Sequence, residues 1–194
     1  SSAASDVYKR QAENLKVTQP QYNTKVVVSS RLTSEKYARY AERYPDNATY
    51  AKLANQDVSA TLTVVGTSGQ NSPEVTATCS VIGVDAKGKQ QTWAAASQYT
   101  LKNGSTAADL SEQVFKQAGI GADTGKGSYG WFLNSLTSPF NKNVTLSTEQ
   151  VNESTWKYWQ FFVNGKKANV GAGNYTLKAG DEIAWVYGSD GTMP

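Results

Sequence analysis

The segment Trp156–Tyr187 limits the possible folds more than any other part of the chain, because short apolar runs alternate there with tight-turn residues. The run Trp159–Val163 is mostly aromatic or β-branched, which suits a strand in a pleated sheet. Asn164-Gly165 follows directly, and this pair is the strongest short signal for a hairpin, since a type I′ turn needs positive φ at both central residues. A Gly-rich loop and a turn at Gly180 then lead to a last apolar run, Ile183–Tyr187. The order predicts short strands joined by tight turns and closed by a terminal strand.

Three longer alternating runs precede this segment, at residues 60–65, 75–84 and 92–101, and a shorter one lies at 175–177. We expect the three long runs to be neighbours in one antiparallel arrangement. After them, Ser105 or Thr106 is suited to cap a helix over residues 107–117, and Gly119 is suited to end it. One helix on one face of a small mixed sheet is an α+β fold, and this is the fold class that we predict.

The N-terminal part of the chain has both strand and helix signals. Residues 25–30 predict a strand. Ser34 is a suitable N-cap for a helix over residues 35–44, Pro45 ends it, and Asp46 is placed to cap a second helix. Tyrosines recur on the first helix at helical spacing. They suit either binding of a sugar or ring compound or packing of the helical hairpin onto a neighbouring sheet, and we favour packing.

These signals divide the chain into three parts. We predict an N-terminal helical and strand extension over residues 1–58, which includes a short helix at residues 6–15. A β-rich domain follows over residues 59–188, and residues 189–194 form a polar tail.

Composition argues against several classes of site. The chain has no histidine, the most common general base and metal ligand, and its single cysteine cannot form an intrachain disulfide. Cys79 lies in an alternating run, which favours a small buried hydrophobe over a reactive thiol. The net charge is only +3 and no basic stripe is present, so nucleic acid is not an expected partner. No apolar run is long enough to span a bilayer. We therefore predict a protein that is not an enzyme and that uses no cofactor or metal.

Two motifs with chemically active side chains have ordinary structural explanations. Asp181 and Glu182 are adjacent, so strand alternation points them to opposite faces, and an aspartate after Gly180 suits a turn. Residues 123–127 are rich in glycine but lack the spacing of a phosphate-binding loop. Neither motif supports catalysis.

Residues 98–188 contain a series of motifs whose order is characteristic. They are Gly104–Leu110 opening a helix, Ser128–Leu136 with its Tyr-Gly pair, Trp156–Lys166, Tyr175–Asp181 and Trp185–Tyr187. In this order they resemble the transcobalamin-like C-terminal domain, a small β-grasp-type module. That module occurs at the end of animal cobalamin carriers and in bacterial surface proteins and lipoproteins.

The resemblance implies a ligand-binding face built from two lips that face a corrin ring in the animal carriers. Carried over to this chain, the ligand-binding residues are Ser128, Tyr129, Gly130 and Trp131 on one lip, Asn164, Lys166, Lys167 and Val170 on the other, and Trp156 beside them. For Trp159 and Trp185 we favour a core position, whereas Trp131 fits either role. The chain departs from the animal carriers in two respects. It has no room for their helical barrel, and it has no histidine to serve as a cobalt ligand.

The resemblance implies a non-enzymatic extracellular protein that binds a corrinoid or another large ring compound. A structural or adhesive module that contacts a surface macromolecule is the alternative. We expect a cell-surface or secreted location, with a lipid or wall anchor in a longer precursor.

Overall fold

The computed structural model describes residues 19–194, so the helix expected at residues 6–15 lies outside the described part. The described residues form two compact units, residues 19–72 and residues 73–194. The described elements make a broadly α+β structure that is mostly β.

The first unit is a two-stranded antiparallel ribbon that carries a helical hairpin. Its elements are β1 (Thr24–Thr33), α1 (Glu35–Arg43), α2 (Ala48–Ala54) and β2 (Asn55–Val64). β2 pairs with β1 along its whole length, so our expectation that it neighbours the later strands is wrong. Alternation identifies a strand but not its partner, and the compact hairpin between β1 and β2 brings their ends together. The boundary that we placed between residues 58 and 59 falls inside β2.

The helices of this unit begin at side-chain caps. Ser34 caps α1 as predicted, and its Oγ accepts a hydrogen bond from the backbone N–H of Tyr37. Asn47 caps α2 through a 3.1 Å bond from the N–H of Thr49 to its Oδ1, so the prediction of Asp46 is wrong by one position.

The tyrosines of the helical hairpin pack against one another and not onto a sheet. No residue of α1 is buried. The rings of Tyr37, Tyr40 and Tyr44 surround Tyr50 of α2 at centroid distances of 6.3, 5.5 and 6.0 Å. The expectation that we favoured, packing onto a neighbouring sheet, is therefore wrong, and the hairpin has an aromatic cluster of its own.

The second unit contains nine strands and one α-helix among its residues 73–194. They are β3 (Glu74–Val84), β4 (Gln90–Lys102), α3 (Ala107–Ala118), β5 (Gly121–Gly127), β6 (Gly130–Thr137), β7 (Thr145–Ser147), β8 (Glu149–Asn152), β9 (Thr155–Val163), β10 (Lys166–Lys167) and β11 (Asp181–Gly188). The main sheet has the order β10-β9-β11-β3-β4, with β8 paired to β9. Within it β3 and β11 are parallel and the other pairs are antiparallel. A second sheet has the order β5-β6-β7. Residues 175–177, which we predicted as a strand, form only an isolated bridge from Thr176 to Thr106.

The core lies between the main sheet, α3 and β6. Trp159 and Trp185 are buried in it, as the sequence predicts, together with Leu110 and Phe115 of α3. Cys79 is fully buried in β3, which confirms its prediction as a small hydrophobe. A smaller cluster of Phe162, Ala184 and Val186 lies on the opposite face of the same sheet.

Candidate functional site

The β5–β6 hairpin projects an aromatic side chain at its tip. Ser128 and Tyr129 form the turn, and Gly130 has a φ of 92° that favours glycine. The side chain of Tyr129 is 96% exposed. Nothing in the packing of unit 2 accounts for an aromatic ring in this position, so Tyr129 is available to a ligand.

The glycines of β5 make room for a second aromatic ring. A Cβ on Gly125 would lie 2.7 Å from Cζ of Phe132, whose ring covers the strand. The Gly-rich stretch 123–127 is therefore one strand of a hairpin, shaped for close packing and not for phosphate.

Trp131, directly after the tip, is half-buried and fixed in orientation. Its Nε1 donates a 2.9 Å hydrogen bond to Oε1 of Glu112 on α3. Its ring centroid lies 6.0 Å from that of Trp185 in the core. Glu112 also accepts a hydrogen bond from the hydroxyl of Thr124, so one carboxylate ties α3 to both strands of the hairpin. Trp131 thus packs on the core and keeps an exposed part, and a ligand-binding role for it stays a prediction.

The loop after β10 closes against the start of β6. Residues Ala172–Asn174 form a 3-10 turn, and a Cβ on Gly173 would lie 2.8 Å from Cβ of Trp131. Val170, three residues earlier, is 44% exposed. We call the surface formed by Tyr129, Gly130, Trp131 and Gly173 the aromatic lip, and Val170 lies in the same loop as Gly173.

The β9–β10 turn has the backbone conformation that the sequence predicts, with φ of 53° at Asn164 and 80° at Gly165. The side chain of Asn164 is occupied within the fold. Its Nδ2 donates to Oδ1 of Asp181 at 3.1 Å, and its Oδ1 accepts from the N–H of Glu182 at 2.8 Å. Asn164 therefore holds the turn in place, and this occupies the groups that a ligand would need.

Asp181 joins this turn to residues 175–178, which follow the 3-10 turn. Its Oδ2 accepts hydrogen bonds from the Tyr175 hydroxyl at 2.9 Å and from the N–H of Lys178 at 2.8 Å. Burial, together with the hydrogen bond to Asp181, raises the pKa of Tyr175 to about 12. Asp181 is buried and Glu182 is exposed, as strand alternation predicts.

The two lysines of β10 lie on opposite faces of the main sheet. Lys166 pairs with Val163, which packs against the main core, whereas Lys167 pairs with Phe162 of the smaller cluster. The Lys167 ammonium contacts Tyr158, above its ring and at its hydroxyl. Lys166 therefore shares a face with the core-packed Trp131, and Lys167 does not.

Trp156 lies far from the β9–β10 turn. It pairs with Gln150 near the turn of the β8–β9 hairpin and is 48% exposed. Eight positions of strand separate it from Asn164, or roughly 26 Å at the rise of an extended strand. The structure thus brings Trp131 against Gly173, in the loop that contains Val170, whereas Lys167 lies on the other face of the sheet and Trp156 lies far from Asn164.

Glu112 and Gly173 belong to the site, and sequence reasoning missed both. Glu112 lies 19 residues from Trp131, and a helical glutamate carries no sign of its partner. Gly173 lies in a Gly-rich loop, which signals flexibility and not contact. The position of Gly173 between small residues and near an aromatic motif is the one sequence signal that could have indicated its close packing.

The arrangement offers aromatic rings and a lysine to a ligand. Within residues 19–194 no group of three or more Asp, Glu, Cys or His side chains is placed to hold a metal ion. In the same part of the chain no helix is both long and apolar enough to cross a membrane.

Comparison with known proteins gives a family match over part of the chain and a likeness to solved structures. Residues 104–189, less than half of the chain, match DUF4430, a domain family of unknown function. A search among curated proteins found no match. The crystal structure of haptocorrin in complex with Cbi is similar to 62% of the chain, with 19% sequence identity and a TM-score of 0.41. The chain spans 28% of that protein's length.

Proposed function

We propose that residues 73–194 form a non-enzymatic ligand-binding domain whose contact surface is the aromatic lip. The observation that carries this proposal is the pair Tyr129 and Trp131. One ring is 96% exposed, and the other, two residues away, is held in one orientation by Glu112. The fixed orientation of Trp131 lowers the entropy lost on binding, and the exposed ring of Tyr129 adds a large area for stacking.

A large, flat ring compound such as a corrinoid is the ligand class that suits this surface. The sequence resemblance of residues 98–188 to the transcobalamin-like C-terminal domain supports this class. Lys166, on the face shared with Trp131, would donate hydrogen bonds to amide oxygens at the edge of such a ring. Asn164 supports the turn, and Trp156 and Lys167 take no part.

We also infer that the main sheet is of β-grasp type. Its centre is the parallel pair of β3 and β11, the first and last strands of the unit. β3 and β4 form a hairpin, and α3 follows directly. This order of hairpin, helix and parallel closing strand supports the finer assignment.

Calorimetric titration of the full chain with cobinamide and with cobalamin tests the proposal. Tyr129→Ala is the main variant, because a side chain with so little packing is removed without loss of stability. Phe140→Ala is its matched control, since Phe140 is also an exposed aromatic at 65% and lies outside the lip. We expect binding that weakens about tenfold in Tyr129→Ala, a loss of about 1.4 kcal/mol, and is unchanged in Phe140→Ala. Absence of heat with both compounds in a folded sample would exclude a corrinoid ligand.

The two lysines of β10 provide a second matched pair for the same titration. Lys166→Ala should weaken binding, while Lys167→Ala should leave it unchanged, because the two side chains lie on opposite faces. If both substitutions weaken binding equally, the ligand binds at the end of the β9–β10 hairpin and not at the aromatic lip.

An adhesive or structural surface module is the second candidate, and the open form of the lip favours it. The lip projects from a hairpin tip, and an exposed aromatic tip suits contact with a surface macromolecule. We propose an extracellular or cell-surface location for either function. Detection of the chain on intact cells by a protease-shaving experiment tests this location.

A further inference from the structure

The helical hairpin of the first unit contains an aromatic cleft that is not part of the aromatic lip. Its volume is about 570 Å³, within the range of about 300–1,000 Å³ that is usual for small-molecule sites. The lining residues are Arg43, Tyr44, Pro45, Asp46, Asn47, Ala48 and Tyr50. The cleft lies where α1 ends and α2 begins.

The aromatic walls of this cleft are preorganised. Tyr44 is 49% exposed, and its ring lies 6.0 Å from that of Tyr50 at an interplanar angle of 46°. The rings of Tyr37 and Tyr40 pack against Tyr50. α1 buries no residue, so its tyrosines pack on Tyr50 at the surface of the hairpin, and Tyr44 and Tyr50 also line the cleft.

Polar groups of both signs border the same rings. The guanidinium of Arg43 lies 5.8 Å from the centre of the Tyr44 ring. Among the residues that the structure describes, neither Arg43 nor Asp46 forms an ion pair. Asn47 uses its Oδ1 to cap α2, which leaves its side-chain N–H₂ for another partner.

We propose that this cleft binds a neutral carbohydrate, with the apolar face of one sugar ring against Tyr44. Opposite charges at one cleft do not favour an anion or a cation, but they supply a donor and an acceptor for hydroxyl groups. The arginine donates to sugar oxygens, the aspartate accepts from hydroxyls, and the asparagine amide donates. An apolar ligand would leave all three polar groups without partners, and this costs free energy.

The test is titration of the ¹⁵N-labelled full chain with four neutral hexasaccharides, namely maltohexaose, cellohexaose, xylohexaose and chitohexaose, followed by ¹H–¹⁵N NMR. We expect saturable shifts of the amides of residues 43–50 with at least one sugar, and little change in affinity between low and high salt. Tyr44→Ala should weaken binding about tenfold, whereas Tyr44→Phe, which keeps the ring, should weaken it less than about threefold.

Two further variants keep the outcome decisive. Asp46→Asn removes the acceptor charge without removing a ring, so it should weaken binding even if Tyr44→Ala unfolds the hairpin. Tyr129→Ala, at the aromatic lip of the other unit, should leave sugar binding unchanged, which separates this proposal from the function proposed above. Absence of shifts at residues 43–50 with all four sugars at millimolar concentration, or strong weakening at high salt, would overturn the proposal.

Discussion

Cys79 is a single residue whose chemistry is decided by its surroundings. Its side chain is fully buried in β3, and burial raises the pKa of the thiol to about 12. The reactive thiolate is therefore scarce at neutral pH, and reagents cannot reach the sulfur. We expect no reaction with Ellman's reagent at pH 8 in the folded protein and one equivalent after denaturation. Rapid labelling of the folded protein would contradict the buried position.

Tyr175 couples stability to alkaline pH. Its pKa is raised from 10.0 to about 12, so the folded state keeps a proton that the unfolded chain loses above pH 10. The stabilisation from this group is complete below pH 10 and is lost as the pH rises to 12. Urea midpoints at pH 8 and pH 11 should therefore differ less in Tyr175→Phe than in the parent chain. Tyr129→Phe, at an exposed ring, should keep the full difference, and an equal pH dependence in all three proteins would exclude the linkage.

At the scale of elements, α3 begins with a reciprocal capping box. The Thr106 hydroxyl accepts from the N–H of Asp109, and the Asp109 carboxylate accepts from the N–H of Thr106 at 2.8 Å. Loss of such a cap costs about 1 kcal/mol. Thr106→Ala should lower the free energy of unfolding by about this amount in urea, whereas Thr106→Ser should retain most of it. No change in Thr106→Ala would mean that packing alone fixes the start of α3.

The contact between the 3-10 turn and β6 sets the shape of the aromatic lip. Gly173→Ala would bring a methyl group within 2.8 Å of Cβ of Trp131, and such overpacking costs about 1–3 kcal/mol. Gly171→Ala is the matched control, because its nearest neighbour would be the Asn174 side chain at 4.0 Å. We expect Gly173→Ala to lower the thermal midpoint and to weaken ligand binding, and Gly171→Ala to do neither. Equal effects would show that the loop does not hold Trp131.

Local signals in the sequence predicted elements well where the chemistry is itself local. The Asn164-Gly165 turn, the Ser34 cap and the helix between Thr106 and Gly119 are all present. Partners distant in sequence were not predictable in the same way. Alternation of apolar and polar residues identified β2 but not its pairing with β1. The sequence around Glu112 does not indicate its hydrogen bond to Trp131.

At the scale of the whole molecule, each unit presents its own aromatic surface. The sequence separated an N-terminal part from a β-rich part, and it predicted a helix packed on a mixed sheet. The candidate site was predicted only in part, because register and sheet face depend on pairing. Strand alternation puts the adjacent Lys166 and Lys167 on opposite faces, but which of them lies on the core face is decided by the pairing of β10 with β9, which local sequence does not specify.

The aromatic lip is the centre of this account, and mapping of ligand contacts tests it most directly. We would record ¹H–¹⁵N spectra of the labelled full chain with and without cobinamide. We predict saturable shifts at residues 129–131 and 170–173, with none at residues 85–87, 140, 141 and 144, which line a separate cavity of about 320 Å³. Shifts confined to that second cavity, or an unchanged spectrum at millimolar cobinamide, would contradict this prediction.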